Sequence, residues 1–436
     1  MKTKKFLFMA AGIALLTGAC SKKPAEVAND IYNSANKMEF SNILPYIIPD
    51  SVAPFTDQEK QTFEQYLSET YYQGIGEKMP LYSSYTVECE EPDKDATEAS
   101  FTVTTQFPDG ISYKEKGTLL KGKDGKWRIG FAKDYSDTTT YYSVSDSQKK
   151  TPELMRNLEY AYVMTMATRG LPEYQVLAAI YYDDGIMTSK DAEKYFELIK
   201  NAADKDYPEA IRKVGSAYYF GKELGAEKDY DKAFQYWKKA AEMGNPNAMQ
   251  NLGFAYEEGV GTMKDSSLAA QWYKKGVEAG DIRSLNNLAL LYEEGNGVEK
   301  DNKKAFDLYL EAAQKGDLNA MNNLSWCYQD GKGVDKDINK AIEWATKAAE
   351  GGNISGMLHL ADINYNGDGG APKNEGRAFN WYLKAADKGN LYGMYMVGQC
   401  YEFGRGTDVN RSAAKEWYRK AWNRNYQPAG QALLRF

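Results

Sequence analysis

The second half of the chain repeats a pattern of apolar and polar positions that is typical of paired amphipathic helices. The stretch Pro246–Asp281 shows it clearly, because apolar residues recur there at intervals of three or four. Two apolar stripes predict two helices joined by a short turn, and Gly253 on the packed face lets them approach closely. The first stripe is Ala248, Leu252, Ala255 and Tyr256, and the second is Ala269, Trp272, Tyr273 and Val277.

Glycine and capping residues mark the ends of these two predicted helices. Gly259 and Gly261 are expected to end the first helix, where a residue with positive φ is favoured. Asp265 or Ser266 is expected to cap the start of the second helix with a side-chain oxygen. Gly280 is expected to end that second helix.

The same unit recurs along the chain at a spacing of about 36–38 residues. One pair of helices leaves an apolar flank uncovered on each side, so the units need neighbours. The period therefore predicts an all-α solenoid of helix-turn-helix repeats over residues 172–436, with a final half-repeat from Pro428. We number the repeats 1 to 7, and they begin at Pro172, Pro208, Pro246, Ile282, Leu318, Ile354 and Leu391.

Short motifs recur at fixed places in these repeats. Repeats 2 to 6 each end in a glycine followed by a capping residue, as in Gly280-Asp281, and the loops carry glycines, as in EEGVG and EEGNG. Second helices recur as KAFQYWKKAAEMG and KAIEWATKAAEGG. Together these motifs resemble the Sel1-like repeat, a relative of the tetratricopeptide repeat with a longer loop between its helices. The resemblance implies a right-handed superhelix whose first helices line a concave face. Repeat 1 departs from the motif, since Ile186-Met187-Thr188 replaces the loop glycines, as expected of a terminal repeat.

Residues 20–135 carry a different pattern. Two predicted helices are followed by four segments that alternate or are rich in β-branched residues, which predicts antiparallel strands. Asp124-Gly125 is a strong hairpin signal, and the last strand contains Trp127. This order resembles the small cone-shaped domains of the nuclear-transport-factor-two-like superfamily. The resemblance implies an α+β domain with a curled antiparallel sheet, and residues 136–171 are expected to form a linker and a lead-in helix.

Residues 1–19 have the pattern of a bacterial signal peptide. The basic segment MKTKK precedes an apolar run of about 14 residues, which is too short to span a bilayer. The run ends in LLTGAC, which resembles the lipobox of bacterial lipoproteins, although Leu16 stands one position earlier than usual. The resemblance implies lipidation of Cys20 and stable membrane anchoring, and Ser21 after it implies sorting to the outer membrane, facing the periplasm or the cell surface. The alternative is an ordinary cleaved signal peptide with a chance cysteine.

Composition narrows the classes of function further. The formal net charge is −7 and there is no basic block or stripe, which argues against nucleic-acid binding. Cys327 and Cys400 belong to no C-x-x-C pair and are expected to be small buried residues of the core. His359 is the only histidine, and its position in the repeat is held elsewhere by asparagine. We therefore expect no catalytic triad, no metal site and no cofactor.

Three rows of first-helix residues lie apart from the packed stripe, at positions 2, 6 and 9 of each repeat. In tetratricopeptide arrays the matching face lines the concave groove, and asparagine amides there can bind the backbone of an extended peptide. The alternative is that the asparagines brace neighbouring first helices by hydrogen bonds, and both roles can hold together. The candidate partner-binding residues are Lys213, Asn247, Asn251, Phe254, Arg283, Asn287, Asn319, Asn323, Trp326 and His359.

The sequence thus predicts a non-enzymatic, lipid-anchored scaffold of the cell envelope that binds a protein partner, an extended segment or a loop, on its concave face. Polysaccharide binding or export is the alternative hypothesis, because surface tyrosines and Trp326 could stack on sugars. An enzyme is the least favoured reading. The cysteine-rich repeat proteins discussed as antibiotic-binding or hydrolysing are stapled by paired cysteines, which this chain lacks.

Overall fold

The structure, a computed structural model, divides the chain into two compact units, Met1–Asp229 and Tyr230–Phe436, which we describe separately. The predicted signal peptide, Cys20 and most of the predicted linker lie outside the described residues. No helix among the described residues is long and apolar enough to cross a bilayer. The described residues are 26–28, 30–31, 34, 55–73, 84–89, 98–106, 112–121, 127–129, 153–185 and 187–436.

The described residues of the first unit include four β-strands in the order β1-β2-β3-β4, and each neighbouring pair is antiparallel. Strand β2 pairs with β3 along its whole length, so that Glu98 lies opposite Leu120 and Gln106 opposite Ser112. The predicted cone-shaped domain with a curled sheet stays a prediction. The strands are β1 (Ser84–Cys89), β2 (Glu98–Gln106), β3 (Ser112–Lys121) and β4 (Trp127–Ile129).

Among the described residues from 55 onward, five α-helices of the first unit precede and begin the repeat array. The second of them packs against both the first and the third. A short 3₁₀ turn, Lys222–Leu224, follows the fifth helix. The helices are α1 (Asp57–Gln73), α2 (Glu153–Thr168), α3 (Pro172–Asp184), α4 (Ala192–Ala203) and α5 (Pro208–Phe220).

A capping box and an ion pair hold α1 against the end of α2. The Thr56 hydroxyl accepts a bond from the Glu59 backbone N–H (3.3 Å), and the Glu59 carboxylate accepts one from the Thr56 backbone N–H (2.6 Å). The same carboxylate accepts two bonds from the Arg169 guanidinium, one of them from Nη2 at 2.9 Å. Hydrogen bonding to Arg169 lowers the pKa of Glu59 to about 2.

Replacing Arg169 with methionine should lower the free energy of unfolding of the first unit at pH 7 by about 1–3 kcal/mol. Because Glu59 has a folded-state pKa below its ordinary value of 4.5, the pair stabilises the fold above that pH and loses its effect as the pH falls toward about 2. Thermal melts of wild type and Arg169→Met should therefore differ at neutral pH and converge in acid. Lys60→Met removes an exposed pair with Asp57 on α1 and should change little. A difference that persists in strong acid would contradict the assignment.

The second unit consists of the second helix of repeat 2, the helix pairs of repeats 3 to 7 and a terminal helix. A second 3₁₀ turn, Asp368–Gly370, lies in the loop of repeat 6. The helices are α6 (Tyr230–Glu242), α7 (Pro246–Glu258), α8 (Ser266–Glu278), α9 (Ile282–Glu294), α10 (Asn302–Gln314), α11 (Leu318–Asp330), α12 (Ile338–Glu350), α13 (Ile354–Asn366), α14 (Glu375–Asp387), α15 (Leu391–Phe403), α16 (Arg411–Trp422) and α17 (Gln427–Leu433).

The predicted end signals of repeat 3 are confirmed at the level of single bonds. Gly259 has φ 74° at the end of α7, and Gly261 in the loop has φ 63°. Asp265 is the cap of α8, since its carboxylate accepts the Leu268 N–H at 2.9 Å and Ser266 is already helical. The helix ends at Glu278, two residues before Gly280, whose φ of 90° turns the chain into the next repeat.

The predicted stripes form the core. Ala248, Leu252 and Ala255 are fully buried, and a Cβ atom on Gly253 would lie 2.5 Å from Cε1 of Tyr273, so this glycine allows the close approach of the two helices. In the second stripe Ala269 and Tyr273 are fully buried, whereas Trp272 and Val277 are half-buried.

The two repeat cysteines are free thiols in the core, as predicted from their places in the repeats. Burial raises the pKa of both thiols to about 12, so they are neutral at physiological pH. Cys327 is 3% exposed and Cys400 is fully buried.

The final half-repeat begins one residue earlier than predicted. Helix α17 starts at Gln427, so Pro428 lies within its first turn instead of starting the helix. Proline fits anywhere in the first turn because those backbone N–H groups have no partner within the helix. A proline therefore marks the start of a helix only to within a residue.

Candidate functional site

Side chains at positions 2 and 6 link neighbouring first helices of the second unit. Arg283 donates from Nη2 to the Asn247 side-chain oxygen at 2.7 Å. Asn323 donates to the side-chain oxygen of Asn286, one position beside the predicted row, at 2.9 Å. The bracing hydrogen bonds that were the alternative to a binding groove are therefore present.

The remaining predicted asparagines have further roles in the packing. Asn319 accepts a bond at 2.8 Å from Asn353, the residue that caps α13. Asn287 accepts a bond at 3.4 Å from the side chain of Asn286, its neighbour on α9. Asn251 and Phe254 are half-buried on α7.

In repeats 3, 4 and 7, a tyrosine on the second helix donates to the glutamate at position 12 of the first helix. This bond joins the two helices of the repeat. Burial raises the pKa of each tyrosine, so the hydroxyl stays protonated and donates. Each bond satisfies a polar atom that would otherwise be costly to bury. The pairs are Tyr273–Glu257 (2.6 Å), Tyr309–Glu293 (2.9 Å) and Tyr418–Glu402 (2.7 Å).

Repeat 5 lacks both partners of this bond. Ala345 stands where repeats 3, 4, 6 and 7 have tyrosine, and Gln329 stands where repeats 3, 4 and 7 have glutamate. The bond to position 12 is made instead by His359, which comes from position 6 of repeat 6. Its imidazole Nε2 lies 2.8 Å from the Gln329 side chain and Nδ1 lies 3.2 Å from the Ser325 hydroxyl. The histidine thus takes the place of the missing phenol.

The hydrogen bonds fix the form of this histidine. His359 is 2% exposed, and burial lowers its pKa to about 4, so the ring is neutral at pH 7 and carries one N–H. Nε2 lies 2.8 Å from the side-chain oxygen of Gln329, which can only accept, so Nε2–H is the donor and Nδ1 carries no proton. Nδ1 faces the Ser325 hydroxyl, which also bonds to the Ala341 carbonyl at 2.7 Å. Because Ser325 is fully buried, this Ser–His pair is not accessible to a substrate.

Trp326 covers the histidine. Its ring lies parallel to the imidazole, with an interplanar angle of 3° and a centroid distance of 3.6 Å. The indole is 39% exposed, so it presents a fixed aromatic plane on the first-helix face. The sequence identified Trp326 and His359 but not Ser325 and Gln329. Repeat 5 differs from the neighbouring repeats at several aligned positions at once. That combined difference is the sequence signal that could have identified Ser325 and Gln329.

Lys213, the remaining candidate, lies on α5 in the first unit. It is buried beside Arg212 and Glu209, and burial lowers its pKa. Since Lys213 and His359 are both buried, the surface proposed below omits them. Among the described residues, no three His, Cys, Asp or Glu side chains form a group that could hold a metal ion.

These helix pairs define an array of the tetratricopeptide-related class. A family model described as Sel1 repeat matches residues 172–207, 208–245, 246–281, 282–317, 318–353, 354–390 and 391–426. The matches span more than half of the sequence, and the chain belongs to the Sel1 repeat family. They confirm the seven predicted repeats and their starting residues.

Solved structures with similar folds come from several bacteria. A protective antigen of uropathogenic Escherichia coli with an SLR fold is 28% identical over 65% of this chain and 60% of that chain, with a TM-score of 0.46. A Sel1 repeat protein from Oxalobacter formigenes is 32% identical over 56% of this chain and 94% of that chain, with a TM-score of 0.48. Cysteine-rich protein B of Helicobacter pylori is 28% identical over 29% of this chain and 93% of that chain, with a TM-score of 0.24. No curated protein matches the sequence.

His359→Asn restores the residue that repeats 3 to 5 carry at this position, and it should destabilise the second unit by about 1–3 kcal/mol at pH 7.5. The folded-state pKa of about 4 lies below the ordinary value of 6.5, so wild-type stability should fall as the pH drops through this window, because only the unfolded state takes up the proton. The difference in melting temperature between wild type and variant should therefore shrink between pH 7.5 and 5. Leu288→Ala, a buried truncation in repeat 4, should cost the same at both pH values. A constant difference for His359→Asn would contradict the assignment.

Proposed function

We propose that this chain is a non-enzymatic, lipid-anchored scaffold of the cell envelope, and that the first-helix face of repeats 3 to 6 binds an extended segment or loop of a protein partner. Sel1 repeat proteins generally act as scaffolds for protein–protein interaction, which supports the class of function. The signal-like N-terminus and the lipobox-like segment before Cys20 support anchoring at the outer membrane, facing the periplasm or the cell surface. In this proposal the cone-shaped N-terminal domain acts as a spacer or as a second binding site.

The observation that carries the proposal is the fixed aromatic plane of Trp326. A partner side chain that packs on this indole need not order it first, because the stack on His359 already holds the ring. Exposed tryptophans in such positions are the residues that most often dominate the binding energy of an interface.

Amide groups next to this plane suit an extended backbone. Asn323 lies one helical turn before Trp326 on α11 and is half-buried. It gives one N–H to Asn286, and among the described residues its side-chain oxygen and second N–H have no bonded partner. These two groups can donate to and accept from one peptide unit. Bracing and binding therefore use different atoms of the same side chain.

Trp326→Ala should reduce capture of the partner by about tenfold or more, as expected for the loss of a central aromatic contact. The measurement is crosslinking in intact cells followed by mass spectrometry, with circular dichroism to confirm the fold. Trp422→Ala is the matched control, because Trp422 is similarly exposed but lies on the second helix of repeat 7. Unchanged partners in the Trp326 variant, with its fold intact, would refute the assignment of this face.

Polysaccharide binding is the alternative, because an exposed indole plane can also pack on a sugar ring. A glycan array separates the two. Glycan binding that is lost in Trp326→Ala, together with unchanged protein partners, would favour the alternative.

A further inference from the structure

A cavity of about 450 Å³ opens between the second helices of repeats 5 and 6, on residues apart from the first-helix rows discussed above. Its volume lies within the range of small-molecule sites. The apolar part of its lining includes the buried Leu360 and Ile363 of α13, with Ile342 and Trp381 on the two flanking second helices. Pro372 closes one side from the loop of repeat 6.

The cavity exists because two large side chains are missing at this interface. At three other interfaces of the second unit a phenylalanine of one second helix packs edge-on against a tyrosine at position 11 of the next repeat, whereas repeat 3 has Ala270 in place of the phenylalanine. In repeats 5 and 6 the corresponding residues are Ile342 and Asn364, and both line the cavity. The aromatic pairs elsewhere in the second unit are Phe234–Tyr256, Phe306–Tyr328 and Phe379–Tyr401, with ring centroids 5.2–5.4 Å apart.

The loop of repeat 6 also differs. This repeat has 37 residues, one more than repeats 3, 4, 5 and 7, and the extra residue lies in the loop between its two helices. Gly369 and Gly370 both have positive φ in this loop, which carries Ala371, Pro372 and Lys373 to the wall of the cavity.

Three exposed cations surround the opening, although the whole chain is acidic. They are Lys373, Arg377 and Lys384. In the part of the chain that the structure describes, no carboxylate lines the cavity and none of the three forms an ion pair. The Lys384 ammonium is held at the opening by Trp381, whose ring centroid is 3.9 Å away.

The arginine is placed differently from its counterparts. In repeats 4 and 5 the corresponding lysines, Lys304 and Lys340, lie over the position-11 tyrosine at 4.3 and 5.2 Å. Arg377 has Asn364 at that position instead of an aromatic ring. Its guanidinium therefore faces the cavity without the aromatic contact that its counterparts make.

The neutral polar groups in the wall are largely engaged. Thr346 donates to the Ile342 carbonyl and Asn364 to the Leu360 carbonyl, each at 2.7 Å. The Asn374 side chain caps α14 by accepting a bond from the backbone N–H of Arg377. The groups left for a ligand are therefore an apolar base of aromatic size and a cationic opening. A charged ligand that is polar throughout would leave the base uncovered, whereas a purely apolar one would bury the cations unpaired.

From this arrangement we propose that the cavity binds an organic carboxylate that carries an aromatic or branched apolar group. The apolar group occupies the space left by the missing aromatic pair, and the carboxylate lies between Arg377 and Lys384. Such a group has two sources, a free small molecule or the C-terminal residue of a peptide. The inference does not depend on the first-helix surface proposed above.

Calorimetric titration of the full chain with N-acetyl-phenylalanine, its amide and a tetrapeptide acid ending in phenylalanine tests this. At least one acid should bind. Its amide counterpart should bind more weakly than the acid by about tenfold or more, because the amide cannot pair with the cations. Binding of both acids identifies the carboxylate itself as the ligand group, and binding of the peptide alone identifies a chain terminus. Absence of binding by either acid up to about 1 mM, or equal affinity for acid and amide, would overturn the proposal.

Three single variants distinguish a loss of ligand binding from a loss of folding. Arg377→Leu introduces the residue that repeat 3 carries there as Leu268, and it should weaken binding about tenfold. Lys384→Gln should do the same, whereas Lys275→Gln, which removes the equivalent lysine over a tryptophan in repeat 3, should leave binding unchanged.

The double variant Ile342→Phe with Asn364→Tyr rebuilds the aromatic pair of three other interfaces, so it should fold, melt no lower than wild type and lose binding. Unchanged binding in this double variant, with its fold intact, would place the ligand elsewhere.

Discussion

A buried tyrosine on the second helix holds repeats 3, 4, 6 and 7 together, and the rest of the second unit depends on it. Its ring packs against the first helix, closely enough at Gly253 and Gly398 that a Cβ atom there would meet the ring. Its hydroxyl bonds to an acidic side chain of the same first helix. An array of this kind has few contacts beyond nearest neighbours, so each repeat has to close on its own hydrogen bonds and packing. The tyrosine supplies both in one side chain.

The two candidate sites lie where this regular arrangement changes. Repeat 5 has alanine in place of the tyrosine, and the interface between repeats 5 and 6 lacks both members of the aromatic pair found at three other interfaces. In repeat 5, His359 bonds where the tyrosine is absent, and the stack on His359 holds Trp326 in place at the surface. The missing aromatic pair leaves the cavity beneath Arg377. Regular positions stabilise an array of any length, whereas a change at one interface creates a surface that occurs once.

The sequence predicted the features that depend on neighbours within one repeat. Helix stripes, glycine turns and the Asp265 cap arise from contacts three or four residues apart, which a periodic pattern reveals directly. The candidate rows lie on the first helices, and the bracing bonds of Asn247 and Asn323 were one of the two roles considered, whereas partner binding stays a prediction. The cavity and the partners of His359 were missed. Both depend on which side chains face each other across two consecutive repeats, and spacing along one helix contains no information on that pairing.

The contact made by His359 has a consequence for how such a chain can change in evolution. Arrays of similar repeats gain and lose units by duplication and deletion, and in repeats 3, 4, 6 and 7 the tyrosine finds its acceptor within its own repeat. Repeat 5 is an exception, since the side chain that fills its core belongs to repeat 6. Loss of repeat 6 alone would place the first helix of repeat 7 against repeat 5, with Met396 at the histidine position, and would leave Ser325 and Gln329 without their partner. Repeats 5 and 6 therefore have to be inherited as one block of two.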